Sequence, residues 1–275
     1  MKISDAVTKR SELKGKWAVV TGASGGIGLE FCKDLARRGA NLLMVAIEDE
    51  LLRERAREIS EEFGVEALPL TLDLTLDDAT VRILAIMESR DIQPYILINN
   101  AGIFTFSPIT EHSEKKIDLF IDLHIRSLTQ LCREMATIMC AAGRGRILNM
   151  SSMSCWMPMP GIAMYSATKS YIRVFTRALH YELKGSGVTA TVACPGGIAT
   201  SLFGLPDKLL RLAVRLGVLS KPDRFAHKAV NRMLKGRKQY INGWLNRFSI
   251  FFVGIMPTPV RMLVKHKMLD RGVRV

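Results

Sequence analysis

The residues that most constrain the fold form a glycine-rich turn between an apolar run and an amphipathic one. Trp17–Thr21 is apolar and rich in β-branched residues, which is typical of a buried strand. Glycines follow in a G-x-x-x-G-x-G spacing, and the next residues, LEFCKDLARR, predict a helix. A strand, a glycine turn and a helix in this order let a pyrophosphate approach the backbone and rest on the helix N-terminus. A glycine turn without a nucleotide is the alternative. The predicted cofactor contacts are Gly22, Ser24, Gly26, Ile27 and Gly28.

Strand-like and helix-like runs continue to alternate as far as about residue 200. The predicted strands are 17–21, 41–46, 65–71, 95–98, 146–150 and 188–193, and the predicted helices include 48–63, 77–90, 115–142 and a helix ending near 184. Six such alternations are typical of a parallel sheet with right-handed crossovers. We therefore predict an α/β fold with a doubly wound, Rossmann-like parallel sheet in three α/β/α layers. One domain would span 1–275, with a core of about 15–242 and a basic, apolar C-terminal extension over 243–275.

The end of the second predicted strand bears on the choice of coenzyme. An acid at this position accepts hydrogen bonds from the adenosine ribose, whereas an arginine receives a 2′-phosphate. The chain has Ile47-Glu48-Asp49-Glu50 here and no base, so we predict NAD(H) rather than NADP(H), with Glu48 as the ribose contact. The alternative is that these acids only begin the next helix, where they suit its dipole.

Polar residues also follow two later strands. Asp73 could bond the adenine amino group, although it could equally cap the following segment. Asn99-Asn100-Ala101-Gly102 combines amides with small residues, which suits close approach of a cofactor and also suits a plain turn. We predict cofactor contacts from Asn100, Ala101 and Gly102, at the same edge of the sheet as the glycine turn.

Tyr165 and Lys169 are spaced as i and i+4 in the run Tyr165-Ser-Ala-Thr-Lys169. On a helix they share one face, so the ammonium would lie near the phenol. A neighbouring cation lowers the pKa of a tyrosine from its ordinary value of about 10, and Tyr165 could then act as a general acid near neutral pH. Ordinary amphipathic helices also carry this spacing, so an exposed pair without function is the alternative.

Charge and cysteine content limit the other functional classes. The 275 residues have a net charge of +13, and residues 205–275 contain 16 Lys and Arg against three acids, so the whole excess lies in this tail. The five cysteines are widely spaced, and no C-x-x-C pair or His-Cys cluster indicates a metal site, which favours reduced thiols in a cytosolic protein. The polar N-terminus lacks the apolar core of a secretory signal. We therefore predict a cytoplasmic location.

The tail itself is compatible with three interpretations. Residues 205–219 interleave leucines with Lys208, Arg211 and Arg215, and 248–256 is an uncharged run too short to span a bilayer. Ordinary core packing with solvated charges is one interpretation. A surface that lies on an anionic membrane is the second, and a basic mouth for the phosphates of an acyl-CoA or acyl-carrier substrate is the third. We expect no nucleic-acid binding, because the bases are not interleaved with aromatics on a recognisable motif.

With these residues assembled, the chain resembles the short-chain dehydrogenase/reductase family, in its short single-domain branch. The supporting motifs are TGASGGIG, NNAG, the serine before YSATK, and PGGIAT, which together cover about residues 15–200. The resemblance implies an NAD(P)-dependent oxidoreductase that transfers a hydride between nicotinamide and a secondary alcohol or ketone. It also implies a homo-oligomer, a dimer or tetramer formed through the two long helices.

The resemblance assigns roles to individual residues. Ser152, 13 residues before the tyrosine, would hold the substrate oxygen, with Ser151 contacting backbone instead. Tyr165 would be the general acid or base, and Lys169 would lower its pKa and bond the nicotinamide ribose. The loop that would contact the nicotinamide end consists of Pro195, Gly196, Ile198 and Thr200. His124 stands where the family commonly has an asparagine that holds a relay water; it could still hold that water, or be a buried histidine without a relay role.

The segment between Ser152 and Tyr165 bears on the substrate. Residues 153–161 would roof the substrate, and their methionines and Trp156 offer adaptable apolar surface. We therefore expect an apolar substrate, and the tail loosely resembles the branch of 3-oxoacyl reductases and hydroxysteroid dehydrogenases, which implies lipid metabolism. The alternative function is a catalytically weak, nucleotide-binding regulatory or membrane-associated protein of the same fold, which His124 favours and the intact Ser152, Tyr165 and Lys169 oppose.

Overall fold

A single parallel sheet organises the part of the chain that the structure describes. The computed structural model describes residues 12–196, 220–243, 246, 250 and 257–266. Within these ranges seven strands pair in the order β3-β2-β1-β4-β5-β6-β7, and every pairing is parallel. The strands are β1 Trp17–Thr21, β2 Asn41–Ala46, β3 Ala67–Thr71, β4 Pro94–Asn99, β5 Gly145–Met150, β6 Val188–Cys194 and β7 Gln239–Ile241.

Helices cover both faces of the sheet. They are α1 Gly26–Arg37, α2 Asp49–Phe63, α3 Ala79–Ser89, α4 Glu114–Ile121, α5 Leu128–Ala141, α6 Ala163–Glu182, α7 Pro222–Leu234 and α8 Thr258–Val264. A π-helical segment, Asp122–Ser127, joins α4 to α5, and 3₁₀ turns occupy Ile109–Glu111 and Met153–Trp156.

The alternation of side chains along each strand divides the core into two layers. Val20 packs into the layer that contains Phe31 of α1 and Phe225 of α7. Its neighbour Val19 points to the opposite layer, with Met135 of α5. Successive strand residues face opposite sides of a sheet, and both sides of the central strands are buried, so strands such as β1 and β2 are mostly apolar. The predicted doubly wound α/β fold is confirmed.

The order of the strands positions the functional edge. The chain leaves β1 towards β2 on one side and later returns to β4 on the other, so the direction of winding reverses between β1 and β4. Val20 pairs with Ile98, which brings the carboxyl ends of β1 and β4 side by side. Ligands of open α/β sheets bind at such a switch point.

The six predicted strands are present, with ends that differ by at most two residues. Two features differ from the sequence-based expectation. The predicted helix 115–142 contains the π-helical segment, and β7 was not predicted because its three residues follow a glycine- and lysine-rich turn. No helix among the described residues combines the length and apolarity that crossing a bilayer requires.

Candidate active site

The glycine turn leads directly into α1. Gly25 caps the helix in an extended conformation, no side chain caps the first-turn N–H groups, and no acid lies in the first turn. A Cβ at Gly25 or Gly26 would meet nothing within 4 Å, whereas one at Gly28 would lie 1.9 Å from the Gly22 carbonyl oxygen. The inner side of the turn is therefore closed by backbone contact, and the outer side is open at a helix N-terminus. This arrangement fits the pyrophosphate of a dinucleotide.

Asn100 holds the glycine turn in place. Its Nδ2 donates to the carbonyl oxygens of Thr21 and Gly22, both at 3.1 Å. The Thr21 hydroxyl accepts in return from the backbone N–H groups of Asn100 and Ala101, both at 3.0 Å. The Asn100 side chain thus bonds the end of β4 to the end of β1 and the glycine turn, across the switch point. A cofactor contact from Asn100 stays a prediction.

Glu48 reaches the glycine turn from the end of β2. Its Oε2 accepts a hydrogen bond of 2.8 Å from the Ser24 hydroxyl, and it also stands as the N-cap residue of α2. A carboxylate therefore lies beside the turn, at the edge where the adenosine ribose is expected. Asp73 is exposed, and its Oδ1 accepts from the backbone N–H and the hydroxyl of Thr75. Asp73 therefore caps the segment that follows it, which was the alternative interpretation of this residue. A contact between Asp73 and adenine stays a prediction.

Ser152, Tyr165 and Lys169 meet at the carboxyl end of β5. Tyr165 lies in the first turn of α6 and is 9% exposed; Lys169 follows one turn later, with Nζ 5.7 Å from the phenol ring centroid. Ser152 follows β5, and its hydroxyl lies near enough to Tyr165 to lower the pKa of the phenol. The Ser152 Oγ also accepts from the Ser154 backbone N–H at 3.1 Å. The two hydroxyls form a polar pair at the edge that carries the glycine turn.

The pKa of Tyr165 moves in the direction opposite to the expected one. Burial raises it, the hydrogen bond with Ser152 lowers it, and the charge of Cys155 raises it further. The expected lowering by Lys169 is absent: its ammonium lies 5.7 Å from the ring centroid and donates to the Met150 carbonyl at 3.0 Å. The expectation of a depressed phenol pKa was wrong for this arrangement.

Lys169 is itself strongly perturbed. Burial lowers the pKa of its ammonium to about 8, because the charged form loses its hydration. Its backbone carbonyl accepts a hydrogen bond of 2.7 Å from the Ser151 hydroxyl. The prediction that Ser151 contacts backbone is confirmed. Lys169 can therefore change its charge near pH 8.

Gly102 brings the loop after β4 against α6. A Cβ at this position would lie 2.9 Å from the His124 Nε2 and 3.3 Å from the Lys169 Nζ. His124 lies in the π-helical segment and is 1% exposed. Phe104, two residues after Gly102, packs edge-on against the Tyr165 ring, and the two ring centroids are 4.9 Å apart. Phe104 was not predicted, since an aromatic in a loop carries no periodic signal.

The loop after β6 is held by a residue from the C-terminal part. The Gly196 N–H donates to the Asn242 Oδ1 at 2.6 Å, and the Pro195 carbonyl accepts from the Met153 N–H at 2.8 Å. Asn242 is buried and was not predicted, because it lies in an unremarkable Ile-Asn-Gly turn. Ile198 and Thr200, the other two predicted contacts of this loop, lie outside the described residues.

The segment that was expected to roof the substrate begins with the 3₁₀ turn Met153–Trp156. Trp156 and Met157 are half-buried, and the Arg173 guanidinium lies over the Trp156 ring at 4.5 Å. The Gly161 carbonyl accepts from the Ser107 N–H at 2.9 Å, which ties this segment to the loop after β4. Apolar side chains thus lie in the segment that joins Ser152 to Tyr165.

Comparisons with known proteins agree with this geometry. A model of the family described as "short chain dehydrogenase" matches residues 16–206. A very-long-chain 3-oxoacyl-CoA reductase from Anas platyrhynchos is 32% identical over 254 residues, covering 90% of this chain and 78% of the relative. The human "inactive hydroxysteroid dehydrogenase-like protein 1" is 30% identical over 246 residues, covering 88% and 73%. A short-chain dehydrogenase from Sphingobium yanoikuyae, solved in complex with NADPH, superposes with a TM-score of 0.75 at 24% identity, covering 92% and 96%.

Proposed function

This chain belongs to the short-chain dehydrogenase family, and from that premise we propose that it transfers a hydride between nicotinamide and a secondary alcohol or ketone of an apolar substrate. As a member of the family it is an NAD(P)-dependent oxidoreductase that acts on CH–OH groups. The observation that carries the finer proposal is the Ser152–Tyr165 hydroxyl pair, with Lys169 one turn away, at the edge of the sheet that also carries the glycine turn.

The residues at the switch point fit the coenzyme. The uncapped first turn of α1 would receive the pyrophosphate, and Glu48 would accept from the adenosine ribose. The small residues Ala101 and Gly102 would border the nicotinamide half, together with Pro195 and Gly196. When bound, the nicotinamide supplies or accepts the hydride. The chain contributes the orientation of the substrate and the movement of a proton at its oxygen.

We assign the proton transfer to Tyr165. Its hydroxyl would give a proton to the substrate oxygen in reduction and remove it in oxidation, while the Ser152 hydroxyl donates to the oxygen as charge develops there. Burial raises the pKa of Tyr165, so the phenol stays protonated near neutral pH and holds the proton that reduction would transfer. Lys169 would bond the nicotinamide ribose.

The direct test replaces Tyr165 by phenylalanine, which removes only the hydroxyl. We expect Tyr165→Phe to reduce kcat/KM by about 10²- to 10⁴-fold while coenzyme affinity is retained. Tyr181→Phe is the matched control, because Tyr181 lies on the same helix but is 55% exposed and bonded to Lys238. Nicotinamide absorbance with a panel of ketones and 3-oxoacyl thioesters measures turnover, and nicotinamide fluorescence measures binding.

A second candidate function is a nucleotide-binding protein with weak or no catalysis. The human relative whose name includes the word inactive supports this candidate. The presence of Ser152, Tyr165 and Lys169 in contact supports catalysis instead. Coenzyme binding without turnover on any substrate of the panel, or equal rates for the wild type and Tyr165→Phe, would favour the second candidate.

We propose that NAD(H) is preferred over NADP(H). The Glu48 carboxylate on the Ser24 hydroxyl supports this, because a 2′-phosphate would meet a negative charge there. The NADPH complex of the Sphingobium relative does not favour this choice, and that relative shares the fold alone. Glu48→Arg should tighten NADPH binding roughly tenfold, whereas Glu50→Arg, exposed two residues further on, should not. A wild type that binds NADPH ten times more tightly than NADH would contradict the proposal.

We further propose that the substrate is 3-oxoacyl- or steroid-like. The half-buried Trp156 and Met157, in the segment between Ser152 and Tyr165, support an apolar substrate, as does the likeness to the Anas reductase. The ketone panel tests this: sugar ketones should turn over much more slowly than apolar ketones of similar size. Acyl thioesters that lack the coenzyme A moiety are then compared with acyl-CoA thioesters. This comparison tests whether the basic tail receives the coenzyme A phosphates.

An anionic membrane surface is the partner that we propose for the C-terminal part. The segments 205–219 and 248–256, on which the expectation rested, lie largely outside the described residues. The described helix α8 adds an observation of its own: it exposes Val260, Met262 and Leu263, followed by the exposed Lys265. Apolar side chains beside bases suit the interface of an anionic bilayer. Such a surface fits the predicted cytoplasmic location at the inner face of a membrane.

Co-sedimentation with vesicles tests this partner. We expect binding to phosphatidylserine-containing vesicles that weakens with salt and is absent with phosphatidylcholine alone. Leu263→Asp should weaken it, whereas Val81→Asp, an apolar-to-acid change at a more exposed position on α3, should not. Binding that Leu263→Asp leaves intact would reject α8 as the docking surface.

We also propose a homo-oligomer formed through α4–α5 and α6. The exposed Leu119 and Ile121 near the end of α4 and Val174 on α6 support a covered surface there. Light scattering should give a dimer or tetramer, and Val174→Asp should shift it towards the monomer. A monomeric wild type at micromolar concentration would contradict the proposal.

A further inference from the structure

His124 makes two hydrogen bonds that connect separate parts of the active site. Its Nε2 accepts from the backbone N–H of Ile103 at 3.0 Å, and its Nδ1 lies 2.9 Å from the Thr168 Oγ1. Ile103 belongs to the loop after β4, and Thr168 belongs to α6 next to Lys169 in sequence. The imidazole therefore bridges the loop that would border the nicotinamide and the helix that carries Tyr165.

The partners of His124 determine which ring nitrogen carries the proton. A backbone N–H can only donate, so Nε2 must present its lone pair to Ile103. The neutral ring then carries its proton on Nδ1 and donates it to Thr168. The Thr168 hydroxyl in turn donates to the Tyr165 carbonyl oxygen at 3.1 Å. Every donor and acceptor in this chain of bonds is engaged, and each bond has one direction.

A chain of hydrogen bonds with these ends does not pass protons. It starts at an amide N–H, which does not ionise, and it ends at a backbone carbonyl, which does not become protonated at ordinary pH. Protonation of Nε2 would also set a second donor against the Ile103 N–H. Burial and the charge of Lys169 both lower the pKa of His124 well below its ordinary value, so the ring stays neutral.

We propose that His124 is a positioning residue whose fixed Nδ1–H tautomer clamps the loop after β4 to α6 and so holds Gly102 against Lys169, without carrying a proton. This inference rests on the proposed function only where it concerns the coenzyme, because Gly102 matters for binding if the loop borders the nicotinamide. The buried edge-on contacts of the ring with Phe120 and Tyr165, at centroid distances of 5.5 and 6.2 Å, fix its orientation further. His124 thus replaces the water-holding asparagine by a direct protein contact.

The tautomer can be observed directly. Long-range ¹H–¹⁵N correlation spectra of ¹⁵N-histidine-labelled protein should show His124 with a protonated Nδ1 and a bare Nε2, unchanged from pH 5.5 to 8; His180 and His227 also direct Nδ1 at oxygen acceptors, so the His124 signal must be assigned. The His124→Gln spectrum identifies that signal by its loss. A proton on Nε2, or a titration of this ring near pH 6.5, would overturn the proposal and restore a relay role.

A double-mutant cycle tests the clamp. Thr168→Val keeps the shape of the side chain and removes the acceptor of Nδ1–H, and His124→Leu removes both bonds. Each should weaken coenzyme binding roughly tenfold and lower Tm, and Thr168→Val should have little further effect in the His124→Leu background. Additive effects on Tm and on coenzyme affinity would overturn the clamp.

Two further readouts separate positioning from proton transfer. The pH profile of kcat should keep its shape in Thr168→Val, whereas loss of a relay would shift it. His124→Gln can offer an amide oxygen to the Ile103 N–H, so it should recover more coenzyme affinity than His124→Leu; equal affinities of the two variants would contradict the clamp. If Tyr165→Phe proves fully active, the proposed function fails. The tautomer of His124 and the coupling of the two substitutions in Tm still test whether His124 clamps the loop to α6.

Discussion

The burial of Lys169 should cost the protein stability, and Lys169→Met tests this cost. Burial lowers the pKa of the ammonium from 10.5 to about 8. Below pH 8 the lysine is charged in both the folded and the unfolded state, and the folded state bears the full penalty. Methionine has a similar length and suits an irregular apolar site, so it removes the charge without leaving a large cavity.

The size of the effect follows from the pKa. One pKa unit corresponds to about 1.4 kcal/mol, so the shift from 10.5 to about 8 represents about 3 kcal/mol of destabilisation at pH 7. The variant also loses the bond from Nζ to the Met150 carbonyl, which costs about 1 kcal/mol. We therefore expect Lys169→Met to be inactive and yet more stable than the wild type by about 2 kcal/mol at pH 7.

The pH dependence provides the internal control. As pH rises from 8 to 10.5, the unfolded state binds more protons at Lys169 than the folded state, so the wild type gains stability relative to the variant. At pH 9.5 the penalty falls to about 1 kcal/mol, and the advantage of Lys169→Met should nearly vanish. Urea unfolding of both proteins at pH 7 and 9.5, followed by circular dichroism, measures the difference.

Two outcomes would refute this reasoning. A variant that is less stable than the wild type at pH 7 would mean that the ammonium is better solvated by its neighbours than its burial indicates. A variant with the same advantage at both pH values would mean that packing, and not charge, sets the difference.

Three further predictions concern the parts of the fold that support the site. Gly28→Ala should abolish coenzyme binding and lower Tm, measured by fluorescence and by calorimetry, because its Cβ would overlap the Gly22 carbonyl; Gly25→Ala, where a Cβ meets nothing within 4 Å, should leave Tm unchanged. Asn242→Ala should destabilise the protein by about 1–3 kcal/mol in urea unfolding, because the Gly196 N–H loses its buried acceptor. Asp34→Ala should cost about 3–5 kcal/mol, because it leaves the buried Arg38 without its closest carboxylate, whereas Asp78→Ala, which breaks the exposed pair with Arg82, should cost about 1 kcal/mol or less.

Much of the fold could be predicted because the signals were local. Apolar runs such as Trp17–Thr21 and Asn41–Ala46 form buried strands when they pair in a sheet. The glycines at 22, 26 and 28 allow the tight turn between the first strand and its helix. The order of these elements then predicted a parallel sheet. The strand β7 was missed because a three-residue edge strand has too little periodicity to stand out from a turn.

The candidate site could be predicted in part. Ser152, Tyr165 and Lys169 do come together, because the i and i+4 spacing on α6 and the end of β5 determine where they lie. The partners of these residues could not be predicted. Asn242 and Phe104 reach the site through contacts between distant segments, and no spacing in the chain indicates either contact.

By itself the sequence determined the class of fold, the edge of the sheet where chemistry takes place, and the residue types gathered there. These follow from local rules: the period of apolar residues, the conformational freedom of glycine and the spacing on a helix. Only the tertiary structure decided how those residues are charged and bonded. Burial raised the pKa of Tyr165 and lowered that of Lys169 to about 8, and the Ile103 N–H and Thr168 hydroxyl fixed the tautomer of His124. Solvation and hydrogen bonding depend on atoms from distant parts of the chain, and these meet only when the sheet and its helices pack together.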